Sequence, residues 1–249
     1  MQHPEIIEVW ERAEQGYANA YRCGADDGHS YYVKSQGATW RGLACEWITA
    51  RLALAFELPI APFAQVFLDD DFAQFLQRAR NRHLAAGLAF GSRVAPHTRE
   101  FDPTLPSKCT AEFRRDLVAF DWWVHNADRT LGESAGNPNL LWDIPGAIPV
   151  VIDHNMAFDR EFEPVKFLET HVFRAGLVAL KADLVMRAEY EQRFSSLVPL
   201  LADVWAELPQ NWLETEDGDS RFLQSEFDSV IDRVNHSHFW DIPQLTATT

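Results

Sequence analysis

Cysteine is scarce in this 249-residue chain: Cys23, Cys45 and Cys109 are odd in number and scattered, with no C-x-x-C pair among them. That excludes a disulfide framework and a cysteine-built zinc site. An excess of base is missing too, because 37 acidic side chains face 22 basic ones and the formal charge is −15. A surface of that sign repels a phosphate backbone, so no nucleic-acid partner is expected, and any anionic ligand needs a local cation to offset the field. No apolar run reaches the length of a bilayer span, and the first residues, MQHPEIIEVWERAEQG, have no basic segment leading into an apolar one. The expectation is a cytoplasmic protein with no membrane association. Repeats and low-complexity tracts are also missing. The remainder, 47% hydrophobic and 24% charged, is ordinary globular usage at a length for one large domain or two lobes sharing a cleft.

The first third alternates with a period of two in EIIEVWER, YANAYRC and HSYYVKS, and the Asp-Gly between the last two is a tight-turn signal, so three antiparallel strands are expected. Over residues 40–56 the pattern turns helical and stops at the prolines of ELPIAP. IAPFAQVFLD reads as a further strand and residues 72–91 as helix. A connection between lobes is placed near residues 67–71, where LDDDF is a solvated acidic patch. The proline-rich APHTREFDPTLPSK reads as loop. Phe113, Leu117, Phe120 and Val124 recur with helical spacing and lead into His125-Asn126-Ala127-Asp128. NLLW and PVVID are short strands, and residues 165–239 are mainly helical. The expected architecture is α+β, with a small β-rich lobe with one helix over residues 1–70 and a larger helical lobe over 71–249.

Four groups follow one another along the chain. Lys34 shares a strand face with Tyr32, where it points either to solvent or into a cleft. Glu46, twelve residues on, sits among small apolar helix residues; it is either a desolvated carboxylate in want of a cation, for which Lys34 is the candidate, or a glutamate favoured by the helix dipole. Asp128, just past a helix, is placed to accept a proton from an incoming hydroxyl. Asp153, just past a buried strand, is placed to hold a divalent cation with an Asn amide oxygen as a further hard ligand. Each of these turn residues also has a reading as a cap. His125 and His154 are read as orienting their loops by hydrogen bonds, and Trp122 and Trp123 as core.

The stretches GHSYYVKSQGATWRGLACEWITARLALAFELPIAPF, FDWWVHNADRTLGESAGNPNLLW and VVIDHNMAFD together resemble the HipA-like kinase family, over roughly residues 5–160. The resemblance implies a two-lobed protein-kinase-like fold with a phosphatidylinositol-kinase-like relationship, ATP and Mg²⁺ as cofactors, and a hydroxyl acceptor, above all Ser/Thr of a protein. It assigns Lys34 to the nucleotide phosphates and Glu46 to hold it, Gly16 to the phosphate loop, Asp128 as the catalytic residue, and Asn137 and Asp153 as metal ligands. The chain departs from the pattern in two places. LGESAG lengthens the loop after Asp128, so that Asn139 is an alternative to Asn137, and the phosphate loop RAEQGYANAY has Gly16 as its single glycine. Those departures keep a rival open, a catalytically silent kinase fold that binds partners; a metal-dependent phosphohydrolase built on Asp128, His125, Asp153 and His154 ranks below it because it leaves Lys34 and Glu46 without a purpose. Oligomeric state has no signature in the sequence.

Overall fold

The computed structural model describes residues 3–13, 20–78, 84–132, 136–213 and 220–244. Strand β1 (Ile6–Arg12) pairs antiparallel with β2 (Tyr21–Ala25), and β2 with β3 (Ser30–Lys34). The Asp-Gly signal is realised by Gly28, whose φ of 79° is the left-handed conformation the turn needs. Helix α1 (Trp40–Ala55) follows, capped by Thr39, whose Oγ1 accepts from the Gly42 amide at 3.1 Å. Next come β4 (Phe63–Leu68), helix α2 (Asp70–Arg78) and β5 (Gly87–Arg93). The sheet order is β1-β2-β3-β5-β4, with every named pairing antiparallel. A parallel bridge between Glu5 and Phe67, with the Phe67 amide donating to Pro4 O at 2.8 Å, brings the chain just ahead of β1 onto the outer edge of β4.

One sequence expectation changes here. Residues 72–91 read as helix, yet from Gly87 on they belong to β5. Gly87 and Gly91 are poor helix formers, and the segment pairs with both β3 and β4; Gly91 lets it fit, since a Cβ there would lie 2.7 Å from Val66 Cγ1. Residues 67–71 are where the connection between lobes is expected. They end β4 and start α2, where Asp69 Oδ1 accepts from the amides of Asp71 and Phe72 at 2.9 and 3.2 Å. The chain leaves the five-stranded sheet after Arg93 and enters a second sheet at Thr98.

That second sheet is β6 (Thr98–Glu100), β7 (Leu140–Asp143) and β8 (Ile148–Val151), in that order and antiparallel. Helix α3 (Ala111–Trp123) runs between β6 and β7. It is wrapped on all sides in its C-terminal half, where Leu117 to Trp123 are all buried, rather than showing one apolar stripe. The rest is α4 (Pro164–Thr170), α5 (Arg174–Ala182), α6 (Leu184–Leu197), α7 (Leu200–Glu207) and α8 (Ser220–Asp232). Alternation along the strands divides the core. One sheet face, with Cys23, Tyr31, Val33, Val66 and Ala89, packs with Leu76 of α2. The other, with Phe90, joins α1 to the large core containing Phe120, Trp123, Phe158, Phe194 and Trp212. Lys34 alternates with Val33 and therefore faces α1. Trp122 and Trp123 are core residues, their indole N–H groups donating to Phe239 O at 2.9 Å and Ile231 O at 3.0 Å.

Candidate active site

Strand β3 delivers Lys34, and helix α1 delivers Glu46 from its buried face. The Lys34 ammonium donates to Glu46 Oε1 and, at 2.8 Å, to Asp153 Oδ1. Asp153 lies two residues beyond β8, so three segments far apart in sequence meet at one ammonium. Glu46 Oε2 is not idle: it accepts from the backbone amide of His154 at 3.0 Å, which ties α1 to the turn carrying Asp153. One cation now serves two acids. Burial would lower the Lys34 pKa, but Asp153 and Glu46 outweigh it and raise it. Burial pushes Asp153 upward and the ammonium reverses that, leaving it below the ordinary carboxylate range. Glu46, more deeply buried and facing a second carboxylate, goes the other way, to about 7.

Asp128 sits five residues beyond the end of α3, half-buried, with its pKa raised by burial and by the charge of Asp153, against a hydrogen bond from Asn139. The two asparagines left open by the sequence stand differently. Asn139 is buried, and its Nδ2 donates to Asp128 Oδ2 at 2.9 Å and to Asp128 O at 3.2 Å. Asn137 is exposed and reaches Asp128 Oδ2 only at 3.5 Å. With its nitrogen engaged, Asn139 keeps its amide oxygen available as an acceptor.

Beneath these groups lies a network that the sequence reading missed. Arg129 is fully buried: Nε donates to Asp121 Oδ2 at 2.8 Å, and Nη1 to the carbonyls of Asn139 at 2.6 Å and of Pro138 and Ile152 at 3.3 Å each. A single guanidinium thus binds the loop of Asp128 to those of Asn139 and Asp153. Asp121 also accepts from Asn126 Nδ2 at 2.9 Å and pairs with His171 Nε2 at 3.0 Å. His171 Nδ1 accepts from the Phe173 amide, so the ring proton is on Nε2 and the ring is neutral, in keeping with burial lowering its pKa. Burial would raise Asp121, but Arg129 and His171 hold it below the usual range. The signal was present: three residues before Val124 and four after Leu117, Asp121 shares the face of an apolar helix stripe, where a carboxylate needs partners.

Left-handed backbone collects in these loops, with φ of 53° at His125, 48° at Asn139, 56° at Asp153 and 57° at Phe158. Asn, Asp and His tolerate that region, but for Phe158 it is costly, and its amide is held by Val124 O at 2.8 Å. His125 orients its loop by stacking on Phe162, ring centroids 4.2 Å apart and planes parallel within 1°, and not by a side-chain hydrogen bond among the described residues. Burial lowers it and His154 alike to about 3. Gly16 lies outside the described residues.

Among the described residues no cluster of three or more His, Cys, Asp or Glu could hold a metal by itself. The oxygen donors at hand are Asp153 and the free amide oxygen of Asn139. Two protein oxygens fit Mg²⁺, which keeps waters and takes phosphate oxygens, better than they fit an all-protein cage. An open cleft of about 600 Å³ runs along Thr130 and Leu131, walled by Pro103, Pro106 and Val172, with the exposed Glu169 and Arg174 also lining it; Asp128 is two residues ahead of Thr130 in the chain and is not part of its lining. No helix among the described residues is long and apolar enough to cross a membrane.

A sequence model of the family described as HipA-like kinase matches residues 6–243. Among solved structures, the chain is similar to the crystal structure of a Helicobacter pylori proinflammatory kinase, CtkA. The identity is 11% and the TM-score 0.49, over 95% of this chain and 97% of that one. No curated protein matches by sequence.

Proposed function

The chain belongs to the HipA-like kinase family, and from that premise we propose that it transfers the terminal phosphoryl group of ATP, with Mg²⁺, to a hydroxyl acceptor, Ser or Thr of a protein above all. The observation that carries the reading is the convergence of Lys34, Glu46 and Asp153, with Asp128 and Asn139 close enough for their charges and hydrogen bonds to register. Such chemistry asks little covalent help of a protein; it asks for positioning and charge.

Lys34, held by Glu46, offers its ammonium to the nucleotide phosphates and supplies the local cation that a chain of charge −15 requires. Asp153 and Asn139 are the metal ligands. Asn139 is preferred to Asn137 because its nitrogen is committed to Asp128 while its oxygen is free. Mg²⁺ bound there would offset the charge of the phosphate oxygens. Asp128 aligns the acceptor hydroxyl and takes its proton, a task helped by a pKa raised through burial. The family resemblance also assigns Gly16 to the phosphate loop. The acceptor approaches along the cleft beside Thr130, whose apolar walls and two charges of opposite sign suit a peptide segment. We place the division between lobes at residues 94–97, after β5, because β5 is the last strand of the five-stranded sheet along the chain.

Calorimetric titration of ATP with and without Mg²⁺ tests the proposal, run beside Lys34→Ala and Asp153→Ala. Magnesium-dependent binding in the wild type, lost in both variants, is expected. A folded wild type that gives no heat would leave a silent kinase fold, and an Asp153→Ala protein that still transfers phosphate at the wild-type rate would remove the metal assignment.

A further inference from the structure

Helix α1 carries Glu46 midway between two arginines, Arg41 and Arg51, each five residues away and therefore about 7.5 Å along the axis. Both are held by carboxylates from the far end of the chain. Glu207, the last residue of α7, accepts from Arg51 Nη2 at 2.9 Å and from Trp47 Nε1 at 3.0 Å. Glu226 of α8 accepts from Arg41 Nη2 at 2.6 Å. The two anchors differ in what else they hold. Glu226 Oε2 takes two further bonds from Arg160, Nε at 2.9 Å and Nη2 at 2.6 Å, while Arg41 Nη2 also donates to Phe158 O at 2.6 Å. Beside it Phe227 stacks on Phe158, with ring centroids 4.0 Å apart and planes within 6°. Residues 158–160 emerge from the turn that carries Asp153, so Glu226 joins the start of α1 to that turn, whereas the Glu207 carboxylate grips α1 alone, its backbone carbonyl accepting from Gln65 of β4 at 2.7 Å.

We infer that Glu226 is a positioning residue: by clamping Arg41 against residues 158–160 it fixes the spacing of Glu46 and Asp153, and so keeps the Lys34 ammonium seated between them. Its carboxylate is suited to the task, since Arg160 and Arg41 outweigh burial and keep it below the ordinary range. The inference bears on the proposed nucleotide site but does not depend on it, because the seating of Lys34 is a property of the unliganded protein.

The test is therefore made first without nucleotide. Acylation of Lys34 by an amine-reactive ester is timed by mass spectrometry, with the exposed Lys108 and Lys166 as internal references, in wild type, Glu226→Gln and Glu207→Gln. In Glu226→Gln we expect Lys34 to label roughly tenfold faster and Mg²⁺-ATP to bind roughly tenfold more weakly, with Glu207→Gln within about twofold of wild type on both. If Glu226→Gln fails to fold by circular dichroism, Glu226→Asp, which keeps the charge but shortens the reach, gives a smaller change in the same direction. Labelling of Lys34 unchanged in the folded Glu226 variant, or raised equally by Glu207→Gln, overturns the inference. A wild type that binds no nucleotide while the labelling contrast holds would sink the proposed function and leave the clamp standing.

Discussion

Replacing Arg129 by Met removes the buried cation beneath the site without opening a large cavity. Four donations go with it, one to Asp121 and three to the carbonyls of Pro138, Asn139 and Ile152. Asp121 is then a carboxylate with no counter-charge and no exposure. Breaking such a pair by removing one partner costs about 3–5 kcal/mol. The lower end applies here, near 3 kcal/mol, because Asn126 and His171 still bond the carboxylate. A domain stable by about 5–15 kcal/mol would survive that, weakened. Urea unfolding followed by both circular dichroism and tryptophan fluorescence reads the loss. The pH dependence gives a second check. Asp121 has a lowered pKa in the fold, so the stability it contributes is present above the ordinary carboxylate pKa and is lost as pH falls through its depressed value. The difference between wild type and Arg129→Met is thus largest at neutral pH and shrinks on acidification. Adding Asp121→Asn, which keeps the hydrogen-bonding shape without charge, should recover about 1–2 kcal/mol. A loss below about 1 kcal/mol at pH 7, or one that does not shrink in acid, would refute the account of this pair as a buried charge balance.

Asn139→Ala should lower Mg²⁺-dependent ATP affinity by at least roughly tenfold and Asn137→Ala by less than about threefold; calorimetry with the two variants decides between them, and the reverse order would return the ligand role to Asn137. His125, neutral in the fold with a pKa near 3, makes the protein acid-sensitive. Its stabilising contribution is complete above the unfolded value of about 6.5 and declines by about 1.4 kcal/mol per pH unit below it. Between pH 7 and pH 5 that amounts to about 2 kcal/mol, a loss that His125→Phe, stacking on Phe162 without a titrating nitrogen, should remove from the urea midpoints. An unchanged pH dependence in that variant would mean the ring is protonated in place. Gly91→Ala sets a methyl group 2.7 Å from Val66 Cγ1 and 3.1 Å from Tyr31 Cδ1, and a cost of about 1–3 kcal/mol is expected from overpacking, read as a lowered melting temperature.

The parts of the site that could be read from the chain were those set by local periodicity. Lys34 shares a strand face with Tyr32 and Glu46 lies among small apolar helix residues, so their meeting was one of the two outcomes that each short pattern allowed, and it is the one found. Asp153 required only that PVVID be a strand ending at a loop. The strand at residues 87–93 was hidden because the helical composition ahead of it, in α2, was carried across Gly87 and Gly91, two poor helix formers, and because its pairing with β3 and β4 is long-range. The choice between Asn137 and Asn139 was hidden for a different reason. It depends on how the chain folds back after Asp128, with the Thr130 amide on Asn137 O at 3.0 Å, which no spacing rule encodes. Arg129, Asp121 and His171 come from three segments, and a buried ion pair of that kind leaves a mark at one member only, the acid within the α3 stripe.

The bridge from Glu5 to Phe67 bears on how the molecule behaves in a crowd. A sheet ordered β1-β2-β3-β5-β4 would leave β4 as an outer strand with unpaired amides, a template on which a second chain could add a strand. Here the Phe67 amide is taken by Pro4 O, and the backbone at Glu5 lies alongside, so the sheet curls back toward its own beginning and part of that edge is already occupied. Residues 3–5 thereby occupy part of the edge on which a second chain would have to pair. Deleting them should leave the Lys34 pairings in place and show itself instead as concentration-dependent aggregation, visible by light scattering before any loss of fold.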